Sequence, residues 1–151
     1  MRFLFLLILL TNLAQADQLS DLCQVKNGKL YTKYRCPKSK LKLPIRTCEY
    51  ENEFGDLQFV NGCSGPSGGH KKVFFSACIK HDLCYHHEPS SGGLSRKDCD
   101  QVFLQIATSS SNTDPRVKNK KKCRSWAKRM YGALRIIGGP AYQCSDRPAN
   151  Y

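Results

Sequence analysis

The chain has 151 residues, nine cysteines and a formal charge of +12 at neutral pH. That is enough for one small basic domain braced by disulfides and too little for two comfortable ones. Beyond the first ten residues no apolar run is long enough to span a bilayer, which takes about 20 residues, so any contact with membrane has to be peripheral.

The chain opens with Arg2, an uninterrupted apolar run over 3–10 and the small-residue tripeptide Ala14-Gln15-Ala16. This has the form of a secretory signal peptide covering 1–16, and polar Thr11 and Asn12 cut it too short for an anchor. The remainder, 17–151, is expected as a single secreted, extracellular domain. All the cysteines (23, 36, 48, 63, 78, 84, 99, 123 and 144) lie in it, and an oxidising compartment favours their pairing. Nine cannot all pair within one chain. One thiol stays free, or bridges to a partner chain, or has lost its partner.

Between 17 and 60 short β-prone pieces at 29–34 and 57–60 alternate with Pro37, Pro44, Asn27-Gly28 and Gly55-Asp56. This predicts loops and one short hairpin, tied down by Cys23, Cys36 and Cys48. Residues 61–70, NGCSGPSGGH, are four-tenths glycine. Such a stretch holds no regular element; it is either a connector or a loop that turns backbone groups toward a small ligand or ion.

A helix is predicted over 77–87 with Ser76 as its cap, ended by Glu88-Pro89 and the small residues after it. A second begins at Ser95, where Ser95-Arg96-Lys97-Asp98 resembles a capping box, and runs to about 108 with Val102, Phe103, Ile106 and Ala107 as its apolar stripe. The short linker at 88–94 suits two antiparallel helices packed side by side. Residues 109–119 are polar, contain Asp114-Pro115 and are expected as an exposed loop. A third, amphipathic helix is predicted over 123–137, with Trp126, Met130, Leu134 and Ile137 on one side, Lys128, Arg129 and Arg135 elsewhere, and Gly138-Gly139-Pro140 as its stop.

Basic residues concentrate at 38–42 and at 116–129. They suit anionic lipid, sulfated polysaccharide or nucleic acid alike, or simply a solvated face. Secretion, and the lack of aromatics interleaved in the lysine run, weigh against nucleic acid.

The chemistry concentrates in ACIKHDLCYHH, residues 77–87. At about 100° per residue, Cys78, His81, Asp82 and Tyr85 fall within one arc of the first helix. A bridge from Cys84 to Cys99 would lock the helix pair in register and carry Asp100 toward His81 and Tyr85. An imidazole beside a carboxylate makes a general base at neutral pH. Asp82, facing a loop of carbonyl oxygens, offers hard ligands for calcium. Base and cation together suit hydrolysis of a phosphate-bearing ester. Three other readings compete: a zinc site using Cys78, His81, Cys84 and His86 or His87, whose spacing is unusual; a Cys–His nucleophile pair; and a merely packed His81.

Cys78-Ile79-Lys80-His81-Asp82-Leu83-Cys84-Tyr85, followed by Cys99-Asp100, resembles the helix signature of the secreted phospholipases A2. Asn61-Gly62-Cys63-Ser64-Gly65-Pro66 and Gly93-Leu94-Ser95-Arg96-Lys97-Asp98-Cys99-Asp100 with Phe103 look most like the conodipine-type branch, found in venom and related secretions. The likeness covers about 61–106. It implies a mainly α, disulfide-rich fold with two antiparallel, disulfide-linked catalytic helices, a Gly-rich loop and a C-terminal amphipathic helix. It also implies His81 as the base that activates water, Asp100 as the carboxylate that orients it, Tyr85 as a support bonded to Asp100, and the pairs Cys63–Cys78 and Cys84–Cys99. Asp82 becomes the side-chain ligand of Ca2+. Cys63 is followed by Ser-Gly-Pro-Ser-Gly-Gly where the family has Gly-x-Gly-Gly, and Gly62, Ser64 and Pro66 are taken as the backbone ligands. Ala77 stands where many relatives carry a further cysteine. The activity implied is calcium-dependent hydrolysis of the sn-2 ester of glycerophospholipids at a membrane surface, anionic for preference. The alternative is a non-catalytic basic effector that uses the same scaffold to bind a membrane, receptor or acidic polysaccharide.

Overall fold

A computed structural model of the chain describes residues 17–36, 40–86 and 94–142. The leader predicted at 1–16, the linker at 88–93, His87 and Cys144 lie outside them. The protein is small, mainly helical and disulfide-bonded, as its sequence leads one to expect.

The N-terminal part holds more regular structure than predicted. Helix α1 (Gln18–Val25) occupies a stretch expected as loop. Asp17 caps it, its side chain accepting the amide of Ser20 at 3.0 Å, and Leu19 and Cys23, one turn apart, are its buried contacts. Strands β1 (Lys29–Tyr31), β4 (Thr47–Glu51) and β5 (Leu57–Val60) form an antiparallel sheet in the order β1-β4-β5, with Cys48 opposite Val60. The β-prone piece at 29–34 breaks after Tyr31, and its end starts β2 (Tyr34–Arg35), which pairs with β3 (Lys42–Leu43). A Cys23–Cys48 disulfide pins α1 to the sheet.

Helix α2 (Lys71–His86) starts well before the predicted 77, so Ser76 is an interior residue and not a cap. Gly68 and Gly69, both at positive φ, turn the chain, and the His70 carbonyl then accepts the amides of Val73 and Phe74. Val73 and Phe74 bury their side chains in the core, a contact of about 1.5–3 kcal/mol for a fully buried Phe. Helix α3 (Arg96–Thr113) begins with the expected capping box of Ser95 and Asp98 but outlasts its predicted end at 108. The polar residues there satisfy their hydroxyls within the helix, Ser111 Oγ on the Ala107 carbonyl and Thr113 Oγ1 on that of Ser109, and Ser111 is buried beside Cys123. Helix α4 (Lys120–Ile137) starts inside the lysine run, capped by Asn119, and stops at Gly138 as predicted; the short α5 (Gly139–Tyr142) follows.

Helices α2 and α3 run antiparallel. The Cys84–Cys99 disulfide joins the end of α2 to the start of α3, while Phe74 and Ala107 share a core further along both. Helix α4 closes that core with Cys123, Ala127 and Met130. The opposite side of α2 packs Phe75, Ile79 and Leu83 against Leu19, Tyr50 and Val60. Buried on both sides, α2 cannot show the one-sided apolar stripe of a surface helix. Cys63–Cys78 ties the 61–70 loop to α2. Cys123 is the free cysteine among the described residues, fully buried, with Ser111 Oγ 3.2 Å from its sulfur.

Candidate active site

His81 sits in the middle of α2, 5% exposed, between the rings of Tyr85 and Phe103. Its Nε2 meets Asp100 Oδ1 at 2.8 Å. Tyr85, one turn later, donates its hydroxyl to the same oxygen at 2.5 Å. Asp100 reaches this position because the Cys84–Cys99 bridge fixes its chain neighbour against the end of α2. Its second oxygen, Oδ2, accepts from Arg135 Nη1 on α4 at 2.6 Å. Burial pushes the fully buried Asp100 carboxyl up, but the bonds from His81, Tyr85 and Arg135 outweigh it and hold the group below the usual carboxylate range. Burial and the bond to this carboxylate push the Tyr85 hydroxyl up, so it stays a donor.

With Nε2 occupied by a carboxylate, the imidazole carries its proton there and keeps Nδ1 as an acceptor. That is the state a base needs. His81 lines a cavity of about 380 Å3 together with Asp82 and Tyr85 from α2, the 61–66 loop, Phe103 from α3, and Trp126, Met130, Leu134 and Ile137 from α4. Its walls are mainly apolar, and its few polar groups come from the helix pair and the loop. Ile137 and its neighbour Ile136 are 71% and 83% exposed. The apolar side of α4 thus splits, with Met130 inside and Ile137 in the open at the cavity wall.

Asp82 faces the loop. Its Oδ2 accepts the backbone amides of Asn61 at 2.8 Å and Gly62 at 2.7 Å. Gly62 adopts φ 63°, and a side chain there would meet the Phe75 ring at 3.2 Å. Further along, Gly68 at φ 57° lies under Trp126, whose indole occupies the place a Cβ would take. The loop is therefore a packed element. Burial drives the Asp82 carboxyl up to about 8, against the two amide bonds that lower it. A buried carboxylate so poorly compensated suits a cation beside it, and Gly62, Ser64 and Pro66 line the same cavity. The Gly62 carbonyl already accepts the Ser64 amide, which makes it the most committed of the three. Among the described residues no three His, Cys, Asp or Glu side chains gather around a common metal position. The one side chain there suited to a hard, oxygen-bound ion is Asp82, with any further oxygens left to the backbone of the 61–66 loop.

The two cysteine-based readings lose their ligands. Cys78 and Cys84 are both in disulfides, so neither offers a thiolate to zinc or to a substrate. His86 packs its ring 4.3 Å from that of Phe59. Sequence reasoning placed Arg135 simply off the apolar side of its helix and gave it no part; its one available signal was a cation in a last helical turn. Arg96 was missed likewise. Its Nη2 donates to the carbonyls of Leu134 and Arg135, clamping the end of α4 against the start of α3. No protein-family model, curated protein or solved structure matches the chain.

Proposed function

We propose that the protein is a secreted, calcium-dependent phospholipase A2 that hydrolyses the sn-2 ester of glycerophospholipids. The observation that carries this reading is the His81–Asp100 pair, 2.8 Å apart, with His81 lining an apolar cavity that Asp82 also lines. His81 Nδ1 takes a proton from water as the water attacks the ester carbonyl. Asp100 holds the ring and stabilises the imidazolium formed, and His81 then returns the proton to the leaving alcohol. Asp82, with main-chain carbonyls of the 61–66 loop, would hold the calcium ion. When bound, that ion supplies positive charge for the substrate phosphate and for the oxyanion that develops on the ester. Leu43, Ile45, Met130 and Leu134 along the cavity accept the acyl chain.

The exposed Ile136 and Ile137, and the lysines that begin α4, suit docking on an anionic bilayer. Three lysines at the positive end of a helix repel its dipole, a cost that a bound anionic surface relieves.

The test is fatty-acid release from anionic and zwitterionic vesicles, with calcium and with a chelator, by the wild-type protein and His81→Gln. Release that needs both calcium and His81 supports the proposal. No calcium-dependent release from either kind of vesicle overturns it in favour of a basic, non-catalytic binding protein on the same scaffold.

A further inference from the structure

A second cavity, of about 420 Å3, adjoins the one that His81 lines, and Ile45, Asn61, Cys63 and Ser64 border both. Three parts of the chain bring apolar side chains to it: Leu19 from α1, Phe75 from α2, and Pro44 with Ile45 from the segment that leads into β4. Leu19 and Phe75 belong to one packed core, so this floor is set by the fold. Three cations border the same space, Arg46, Lys71 and Lys72, against one carboxylate, Asp17. That carboxylate is taken: it accepts from Arg46 Nη1, while Arg46 Nη2 donates to Ser20 Oγ at 2.8 Å. Lys71 and Lys72 are exposed, and among the described residues neither ammonium group has an ion-pair partner. We propose that this cavity binds a single-chain anionic lipid, a fatty-acid carboxylate, with its chain on the apolar floor and its head on Lys71 and Lys72.

The physical reason is that an apolar floor and a cationic edge call for opposite properties in one ligand. An inorganic anion would leave the floor in water, and an uncharged chain would leave two ammonium groups uncompensated. An alkyl carboxylate meets both: each methylene gains by leaving water, and a carboxylate shared by two ammonium groups forms charge-assisted hydrogen bonds. The volume is in the range of small-molecule pockets and suits one alkyl chain, whereas a diacyl phospholipid brings two. A zwitterionic head carries its own cation, which Lys71 and Lys72 would repel. The first cavity differs in kind, since Asp82 faces it and no lysine lines it. Binding at the second cavity does not depend on hydrolysis. Under the hydrolytic reading the ligand is the reaction's own product, held beside the cavity in which it forms.

The test uses the full oxidised chain in chelator, which stops calcium-dependent turnover and keeps fatty acid from precipitating with calcium. Octanoate, decanoate and laurate are titrated below their micelle concentrations, and binding is followed at the methyl resonances of Leu19, which lines this cavity and not the first. Affinity should rise on the order of threefold per added methylene. Dodecylphosphocholine, with the chain length of laurate and a zwitterionic head, should bind on the order of tenfold more weakly. Lys71→Gln with Lys72→Gln should weaken laurate on the order of tenfold or more. Lys97→Gln with Lys128→Gln, which removes two exposed charges elsewhere, should leave it within about twofold.

Isotope-edited NOEs from 13C-labelled laurate locate the chain in the unsubstituted protein, so this arm does not depend on any variant folding. Leu19 and Phe75 line only the second of the two cavities, and Trp126 and Met130 only the first. Contacts to Leu19 and Phe75 are expected, whether or not a further molecule reaches Trp126. Their absence, an unsaturable titration, equal binding of dodecylphosphocholine, or laurate affinity that ignores Lys71 and Lys72 overturns the inference. Fatty-acid release from vesicles with calcium is scored separately. A wild type that binds laurate at Leu19 and Phe75 and releases nothing defeats the hydrolytic reading alone. A hydrolase dependent on calcium and His81 that lacks these contacts defeats the inference alone.

Discussion

His81 and Asp82 are consecutive residues of α2 with different partners: His81 Nε2 meets Asp100 on α3 at 2.8 Å, and Asp82 Oδ2 receives the amides of Asn61 and Gly62 at 2.8 and 2.7 Å. The turn of about 100° between successive helical side chains aims one at the neighbouring helix and the other at the glycine-rich loop, while both border one cavity.

Asp82 makes the metal-free protein sensitive to pH. Its carboxyl is pushed up to about 8 by burial, well above the usual range of an exposed aspartate. An acid whose pKa is higher folded than unfolded favours the fold when protonated. Its contribution is fully present below about pH 4 and is lost as the pH rises toward 8, on the order of a few kcal/mol. Thermal unfolding in chelator should show Tm falling over this window in the wild type and much less in Asp82→Asn, with calcium raising Tm in the wild type only. Equal pH slopes in the two proteins would count against it.

Tyr85→Phe deletes one buried hydrogen bond to a charged group and leaves Asp100 its bonds to His81 and Arg135. Unfolding in denaturant should show a loss of about 1.5–3 kcal/mol. Initial rates of fatty-acid release should fall by about tenfold or less. His81→Gln, which removes the base itself, should lower them by about 10²–10⁴. Equal losses in the two variants would show that Tyr85 does more than support Asp100.

Gly68→Ala should be destabilising because two penalties coincide. The position has φ 57°, which costs an ordinary residue roughly 1–2 kcal/mol, and the new Cβ would lie within 2.0–2.3 Å of the Trp126 indole. Pairing Gly68→Ala with Trp126→Ala should relieve the clash but not the backbone strain. A double-mutant cycle by chemical unfolding checks this, and additive losses would show that the ring swings aside freely.

Cys123 should resist thiol reagents in the folded protein, since it is buried between α3 and α4 with Ser111 beside it. Mass spectrometry after alkylation should find it unmodified under native conditions and modified after denaturation without reduction. Rapid native labelling at Cys123 would mean that α4 opens from α3.

The local chemistry of the helix pair was legible because helical spacing combines with a Cys84–Cys99 pairing that the resemblance implies. A disulfide between Cys84 and Cys99 and a period of 3.6 residues suffice to bring Asp100 toward His81, and the Ser95–Asp98 cap was visible from two residue types at one separation. Helix ends were harder. The polar residues at 109–113 favour loops as free residues, and they extend α3 where Ser111 is buried beside Cys123 and Ser111 and Thr113 turn their hydroxyls back to helical carbonyls. Helix α1 was missed for a related reason: it is too short to hold itself together and depends on the bridge from Cys23 to Cys48 and on the burial of Leu19.

The sequence by itself determined the disulfide-braced mainly helical class, the face shared by His81, Asp82 and Tyr85, and the excess of positive charge, because these depend on composition and on separations of a few residues. Only the tertiary structure decided that Trp126 roofs the glycine-rich loop, that Cys123 is the cysteine kept reduced among the described residues, and that Arg135 completes the Asp100 cluster. Each of these is a contact between side chains distant in the chain. A helical pattern shows which side of α4 is apolar, but which arginine on the other side reaches a buried carboxylate depends on how α4 crosses α3, and that is set by packing of the whole core.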